Sequence, residues 1–315
     1  MLTRFKSLRV ASLLAIAPFF AGCDSAPEPV EQGEASPPAP TYPAWEMSAL
    51  EQTPCFDGRT FKPLSASELV RRASAADVVL IGEMHGDEAG LAASAALWRA
   101  ILDERPSAVL ALEFVERDEQ IALDDWLAED ELSTPDALSA DHAPLLMAAK
   151  QRGRPVVAAN APRRYVRLAR TAGYDHLRAM TPAQRATFVF PDPMPAGPYR
   201  DRFFELFGGG VHGGGMPTEQ IEAYWRAQAM WDATMADSVL RALDDGDGPV
   251  VLVVGRFHVD RDGGVLQMLR AGRPDVSVFS VVMAGVDEIE EAESDVAADS
   301  EGSPPIADAL WAVSD

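Results

Sequence analysis

Asp77-Val78-Val79-Leu80-Ile81-Gly82-Glu83-Met84-His85 is the stretch on which the fold turns. An unbroken apolar run that ends in glycine, acid and imidazole has the pattern of a strand buried on both faces, as in parallel sheets. The pattern returns in Ala108-Val109-Leu110-Ala111-Leu112-Glu113, Pro155-Val156-Val157-Ala158-Ala159-Asn160 and Pro249-Val250-Val251-Leu252-Val253-Val254-Gly255. A fifth run, Val276-Ser277-Val278-Phe279-Ser280-Val281-Val282, follows Pro274. Between the runs, helical periodicity predicts helices at about 89–104, 117–129, 141–152, 163–172, 199–207 and 217–244. The alternation predicts an α/β domain whose largely parallel sheet is covered by helices on both faces. Residues 173–216 are less regular, and the glycine-flanked His212 reads as part of a loop.

Four of the five runs end in polar groups: Glu83 and His85, Glu113, Asn160, and then Gly255-Arg256-Phe257-His258. Ligands bind outside the carboxyl ends of parallel strands, so these residues are expected to converge on one sheet edge. Glu83 and His85 are two apart, which on an extended chain sends both side chains to the same side. Two imidazoles and two carboxylates could hold a divalent metal, with Glu83, His85 and His258 as ligands, or could exchange protons directly. Simpler roles exist for some of them. Glu113 could serve a helix N-terminus, and Asn160, before Ala161-Pro162, could cap one. Gln228, Trp231, Asp232 and Met235 share one face of the 217–244 helix, either as a wall of the site or as a buried face bonded to loops.

Charge separates this core from its ends. The chain of 315 residues carries a net charge of −22, and no Lys or Arg occurs in residues 24–54 or 283–315. Both stretches read as solvated segments: an acidic, proline-rich tether containing Pro37-Pro38-Ala39-Pro40, and an acidic C-terminal tail over 284–315. The folded domain is expected at 55–283. A pI near 4.5 with no basic tract argues against a nucleic-acid partner.

Arg4, Lys6 and Arg9 precede the apolar run 10–20, which is too short for a membrane span and has the layout of a secretory signal. Phe20-Ala21-Gly22-Cys23 resembles a bacterial lipobox, in which Cys23 is lipidated and becomes the first mature residue, with Phe in place of the usual Leu. Residues 1–23 are therefore read as a lipoprotein signal and the protein as exported and lipid-anchored to a bacterial cell membrane, on the periplasmic side or in the outer membrane. Cys55 would then be the one remaining thiol, with no intramolecular disulfide to form.

Ile81-Gly82-Glu83-Met84-His85-Gly86, Leu112-Glu113-Phe114, Ala159-Asn160-Ala161-Pro162-Arg163, residues 228–236 and Gly255-Arg256-Phe257-His258 together resemble, in consistent order over roughly 65–283, the ChaN-like family. That family is described as haem-binding, iron-uptake lipoproteins within the Tiki superfamily, which includes erythromycin esterases and metal-dependent proteases. The resemblance implies that Glu83, His85, Glu113 and His258 are metal or acid–base positions, with Asn160 and Arg163 beside them and Gln228 and Asp232 on the cofactor side. The sequence departs at Gly90-Leu91, where the family often has a pair of histidines. Candidate haem ligands are the five histidines and five tyrosines, with Tyr165, Tyr199 and Tyr224 in or beside helices.

Two functions follow from the resemblance. In the first, the protein is a tethered haem or iron-uptake protein, in one form a homodimer holding the cofactor between subunits. In the second it is a peptidase or esterase, in which a metal held by Glu and His, or Glu and His alone, activates water. Glu113 would then take the proton and Arg163 stabilise the oxyanion.

Overall fold

A computed structural model describes residues 48–129, 140–209, 215–246, 248–297 and 304–313. In chain order these residues form α1 (Ser48–Gln52), β1 (Cys55–Asp57), α2 (Ala66–Ala75), β2 (Val78–Glu83), α3 (Glu88–Glu104), β3 (Val109–Glu116), α4 (Gln120–Ala128), α5 (Ala143–Gln151), β4 (Val156–Asn160) and α6 (Arg163–Ala172). There follow α7 (Tyr174–Arg178), α8 (Pro182–Arg185), α9 (Pro198–Gly208), α10 (Thr218–Asp244), β5 (Val250–Gly255), α11 (Gly264–Gly272), β6 (Val278–Gly285), α12 (Val286–Ala297) and β7 (Ala309–Val313). None of the described helices is long and apolar enough to cross a membrane.

The strands make one seven-stranded sheet in the order β1-β7-β6-β2-β5-β3-β4. Every pairing is parallel except that of β1 with β7. All five runs predicted as strands are present, and β2 lies at the centre with every residue buried. Successive side chains of β2 serve opposite faces, as the alternation of a strand requires. Val79 and Ile81 join the layer made with α2, α3 and α5, whereas Val78 and Leu80 join the layer made with α10 and α11. Each such buried side chain contributes about 1.5–3 kcal/mol, so the doubly covered sheet dominates stability.

The free edge of β4 is closed by a side chain. Gln120, at the start of α4, donates from Nε2 to Val156 O at 2.8 Å and accepts at Oε1 from Ala158 N at 2.7 Å. A single amide thus takes the place of a neighbouring strand for two backbone groups.

The acidic C-terminal stretch differs from the solvated tail expected of it. Its described parts are α12, with Ile289 and Ala292 buried, and β7, where Trp311 is fully buried beside β6. Asp308, which the charge count places in water, accepts at Oδ2 from Ser280 N and Oγ, both at 2.9 Å. The pentad Ala309-Leu310-Trp311-Ala312-Val313 is apolar enough to pair as a strand, and the acids around it hide that in a count over the whole stretch. Similarly, residues 48–54, expected in the tether, contain α1 with Leu50 buried. Cys55 is buried on β1, and burial pushes its thiol up to about 12. Cys23 and His212 lie outside the described residues.

Candidate functional site

The carboxyl ends of β2, β3 and β5 bring together six ionisable side chains in which carboxylate and imidazole alternate. Glu83 is the last residue of β2 and is buried. Its Oε1 lies 2.9 Å from His85 Nδ1, and its Oε2 lies 2.9 Å from Nε2 of His142, just before α5. The His142 ring stacks on Phe114 with centroids 4.1 Å apart, and the His85 ring meets the same phenylalanine edge-on at 5.4 Å.

A local irregularity in β3 sets the position of Glu113. β3 pairs with β5 through Leu112, and between Leu112 and Glu116 its register against β4 shifts. A bulge of this kind re-aims side chains at a sheet end. Glu113 lands over the end of β5, where Gly255 N donates to its Oε2 at 2.6 Å. A Cβ on Gly255 would stand 3.4 Å from His85 Nε2 and 3.5 Å from Glu113 Oε2, so both groups face the space above this glycine.

On the far side of Gly255, His258 Nε2 is 3.6 Å from Glu113 Oε1 and His258 Nδ1 is 2.6 Å from Asp232 Oδ1. Asp232 is fully buried on α10, and Tyr199 of α9 donates to its Oδ2 at 2.9 Å. Gln228, one turn earlier on α10, donates from Nε2 to the Tyr199 hydroxyl at 3.0 Å. Gly264 admits this cluster, because a Cβ there would lie 2.1 Å from Asp232 Oδ2.

The electrostatics follow the pairing. Burial pushes the Glu83 carboxyl up, but hydrogen bonds from His142 and His85 outweigh it and hold the group below its ordinary range. The bond to Glu83 holds His85 above its ordinary value, against burial. Burial pulls His258 down, and the carboxylates of Asp232 and Glu113 outweigh it and hold this imidazole up.

Glu83, His85, Glu113 and His258 thus converge, with Gln228 and Asp232 behind His258. Asn160 and Arg163 are held by their own neighbours: Asn160 Oδ1 accepts from Ala161 N at 2.9 Å, and the 60% exposed Arg163 side chain points its Nε at Glu116 Oε1, 3.7 Å away. His142 and Tyr199 complete the cluster without having been singled out for it in the sequence. His142 sits in Asp141-His142-Ala143-Pro144, which reads as a plain helix entry. As for a metal, both Glu83 oxygens are engaged by imidazoles, and among the described residues no group of three His, Cys, Asp or Glu side chains could hold an ion.

The sequence model of the family described as haem-binding uptake, Tiki superfamily, ChaN matches residues 69–269. The chain belongs to this family. Among solved structures, that of ChaN of Campylobacter jejuni, described for cofacial heme binding, is 15% identical with a TM-score of 0.62, over 84% of this chain and 97% of that one. It shares the fold. An erythromycin esterase in its open conformation is 14% identical with a TM-score of 0.43, over 74% of this chain and 77% of that one. A Bacillus cereus protein is 12% identical with a TM-score of 0.43, over 76% of this chain and 74% of that one. None of the curated proteins compared matches the sequence.

Two features of this ChaN-family chain bear on a flat cofactor. At Gly90, where the family often has histidine, a Cβ would stand 2.3 Å from Met283 Sδ, so the position is given over to close packing of α3 on β6. Of the three tyrosines beside helices, Tyr165 and Tyr199 are buried, whereas Tyr224 on α10 is only partly so. Its ring stacks on Phe207 at 5.8 Å, and the Arg170 guanidinium lies 4.6 Å from the ring centroid.

Proposed function

We propose that this protein binds haem and serves iron uptake as a lipoprotein anchored through Cys23. The match of the family's sequence model to residues 69–269 carries the reading. The patch of Phe207, Tyr224 and Arg170 supports it, because haem offers an apolar face to aromatic rings and two carboxylates to a guanidinium. Tyr224 would supply the phenolate oxygen. The anchor rests on the basic start, the short apolar run and Phe20-Ala21-Gly22-Cys23. Titration with haem should give a saturable Soret shift of fixed stoichiometry that Tyr224→Phe weakens. Uptake without a defined endpoint would overturn the binding. Intact mass of membrane-extracted protein should show an acylated Cys23.

A second reading, hydrolysis of an ester or amide, is favoured by one observation: His85 Nε2 and Glu113 Oε2 face the same space above Gly255. Glu113 would take a proton from water as the water oxygen adds to the carbonyl carbon. His85 would give its Nε2 proton to the leaving group as the second bond breaks, and the Glu113 proton then returns to His85. Turnover of a panel of nitrophenyl esters, abolished by Glu113→Gln, tests this; a rate equal to that of buffer rejects it.

A further inference from the structure

The geometry points to a positioning role for His142, which rests on the hydrolytic reading just given: it fixes the Glu83 carboxylate, and through it the His85 ring. Three observations carry the assignment. His142 is 4% exposed, and its Nε2 is 2.9 Å from Glu83 Oε2, the oxygen that His85 does not use. Its Nδ1 is buried and has no hydrogen-bond partner among the described residues. Its ring is held flat on Phe114, the residue after Glu113.

The bond to Glu83 decides which nitrogen carries the proton. A carboxylate oxygen only accepts, so Nε2 of His142 carries a proton for Glu83 Oε2, and Nδ1 has no partner among the described residues that would draw the proton away. His142 is therefore an Nε2–H donor to one carboxylate oxygen. With both oxygens bonded, the carboxylate plane cannot turn about its last torsion. Glu83 Oε1 then meets His85 Nδ1–H in one orientation, which directs Nε2 of His85 to the space over Gly255. Phe114 enforces the same arrangement by touching both rings. Glu83 faces His142 directly, His85 shares Phe114 with it, and Asp141 is beside it in the chain.

Two substitutions separate this role from packing. His142→Phe keeps a flat ring against Phe114 and removes the donor; His142→Gln restores a donor near the former Nε2. Nitrogen and proton NMR at neutral pH should show His142 as the Nε2–H tautomer, and His85 with the deshielded Nδ1 proton of a carboxylate-bound ring. The His85 signal should persist in H142Q and be lost or split between tautomers in H142F. Ester cleavage should fall on the order of ten- to a hundred-fold in H142F and recover in H142Q. An unchanged His85 signal in H142F overturns the proposal. If H142F does not fold, an Nδ1–H tautomer with a bare Nε2 at His142 in the unaltered protein overturns it just as well. No cleavage by any of the proteins, with the NMR pattern present, rejects hydrolysis and leaves the positioning of His85 standing.

Discussion

The two halves of the polar site use the same chemistry and differ in how they are closed. On the β2 side, Glu83 ends the strand and His85 stands in the turn that follows it, and the His85 side chain keeps 31% of its surface in solvent. On the α10 side, Asp232, Tyr199 and His258 come from three separate elements, and His258 keeps 8%. α9 and Gly264 cover the second half, and nothing in the described residues covers His85 to the same degree. An imidazole that water can reach is available for exchange with a ligand, whereas one buried on a carboxylate is held as part of the architecture.

The largest effect that could break this contrast is expected at His258. Its replacement by Ala leaves the fully buried Asp232 without the imidazole 2.6 Å from its Oδ1, which should cost about 3–5 kcal/mol in urea denaturation. Next is Gly264→Ala, whose Cβ would meet Asp232 Oδ2 at 2.1 Å and should cost about 1–3 kcal/mol with no change at His85. His85→Ala should cost only about 1 kcal/mol, because water can replace the lost donor. Equal losses for the two histidine variants would erase the distinction.

The pH dependence sharpens it further. Glu83 is held below its ordinary value of 4.5, so its stabilisation is present above that pH and fades as pH falls through the lower folded value. His85 is held above its ordinary value of 6.5, so its share is complete below 6.5 and fades as pH rises through the higher folded value. Thermal melting should therefore show both contributions between 4.5 and 6.5, and Glu83→Gln should flatten both limbs. The smallest effect is expected far from the site: Gln120→Ala should cost about 1 kcal/mol and raise self-association in light scattering, since it bares the edge of β4.

The contrast also explains what could be read from the sequence. Continuous apolar runs identify the five adjoining parallel strands β6, β2, β5, β3 and β4 because burial on both faces leaves no room for polar residues. The helices at 163–172 and 218–244 follow from their periodicity. The Glu83–His85 half is local in sequence, although the extended chain expected through both residues ends at Glu83 and the turn after it brings His85 back onto the carboxylate. The other half is not: periodicity places Asp232 and Gln228 on one face of α10, but that they meet Tyr199 of α9 is decided by packing between distant segments. His142 was missed for the same reason, its partner being 59 positions away. Strands β1 and β7, which extend the sheet beyond β6, were missed because they are short and lie in or beside stretches dominated by acid and proline.

The pairing of β1 with β7 sets an order of events during synthesis. Cys55, Phe56 and Asp57 emerge from the ribosome before any other described strand, and their strand partners Trp311, Leu310 and Ala309 emerge after all the other described strands. Until then β1 has no ladder to join and the edge of β6 stands open. Ala309–Val313 thus works as a latch that only a fully translated domain can close, and a nascent chain stalled before it would present to chaperones and proteases the unfastened edge of an otherwise assembled sheet.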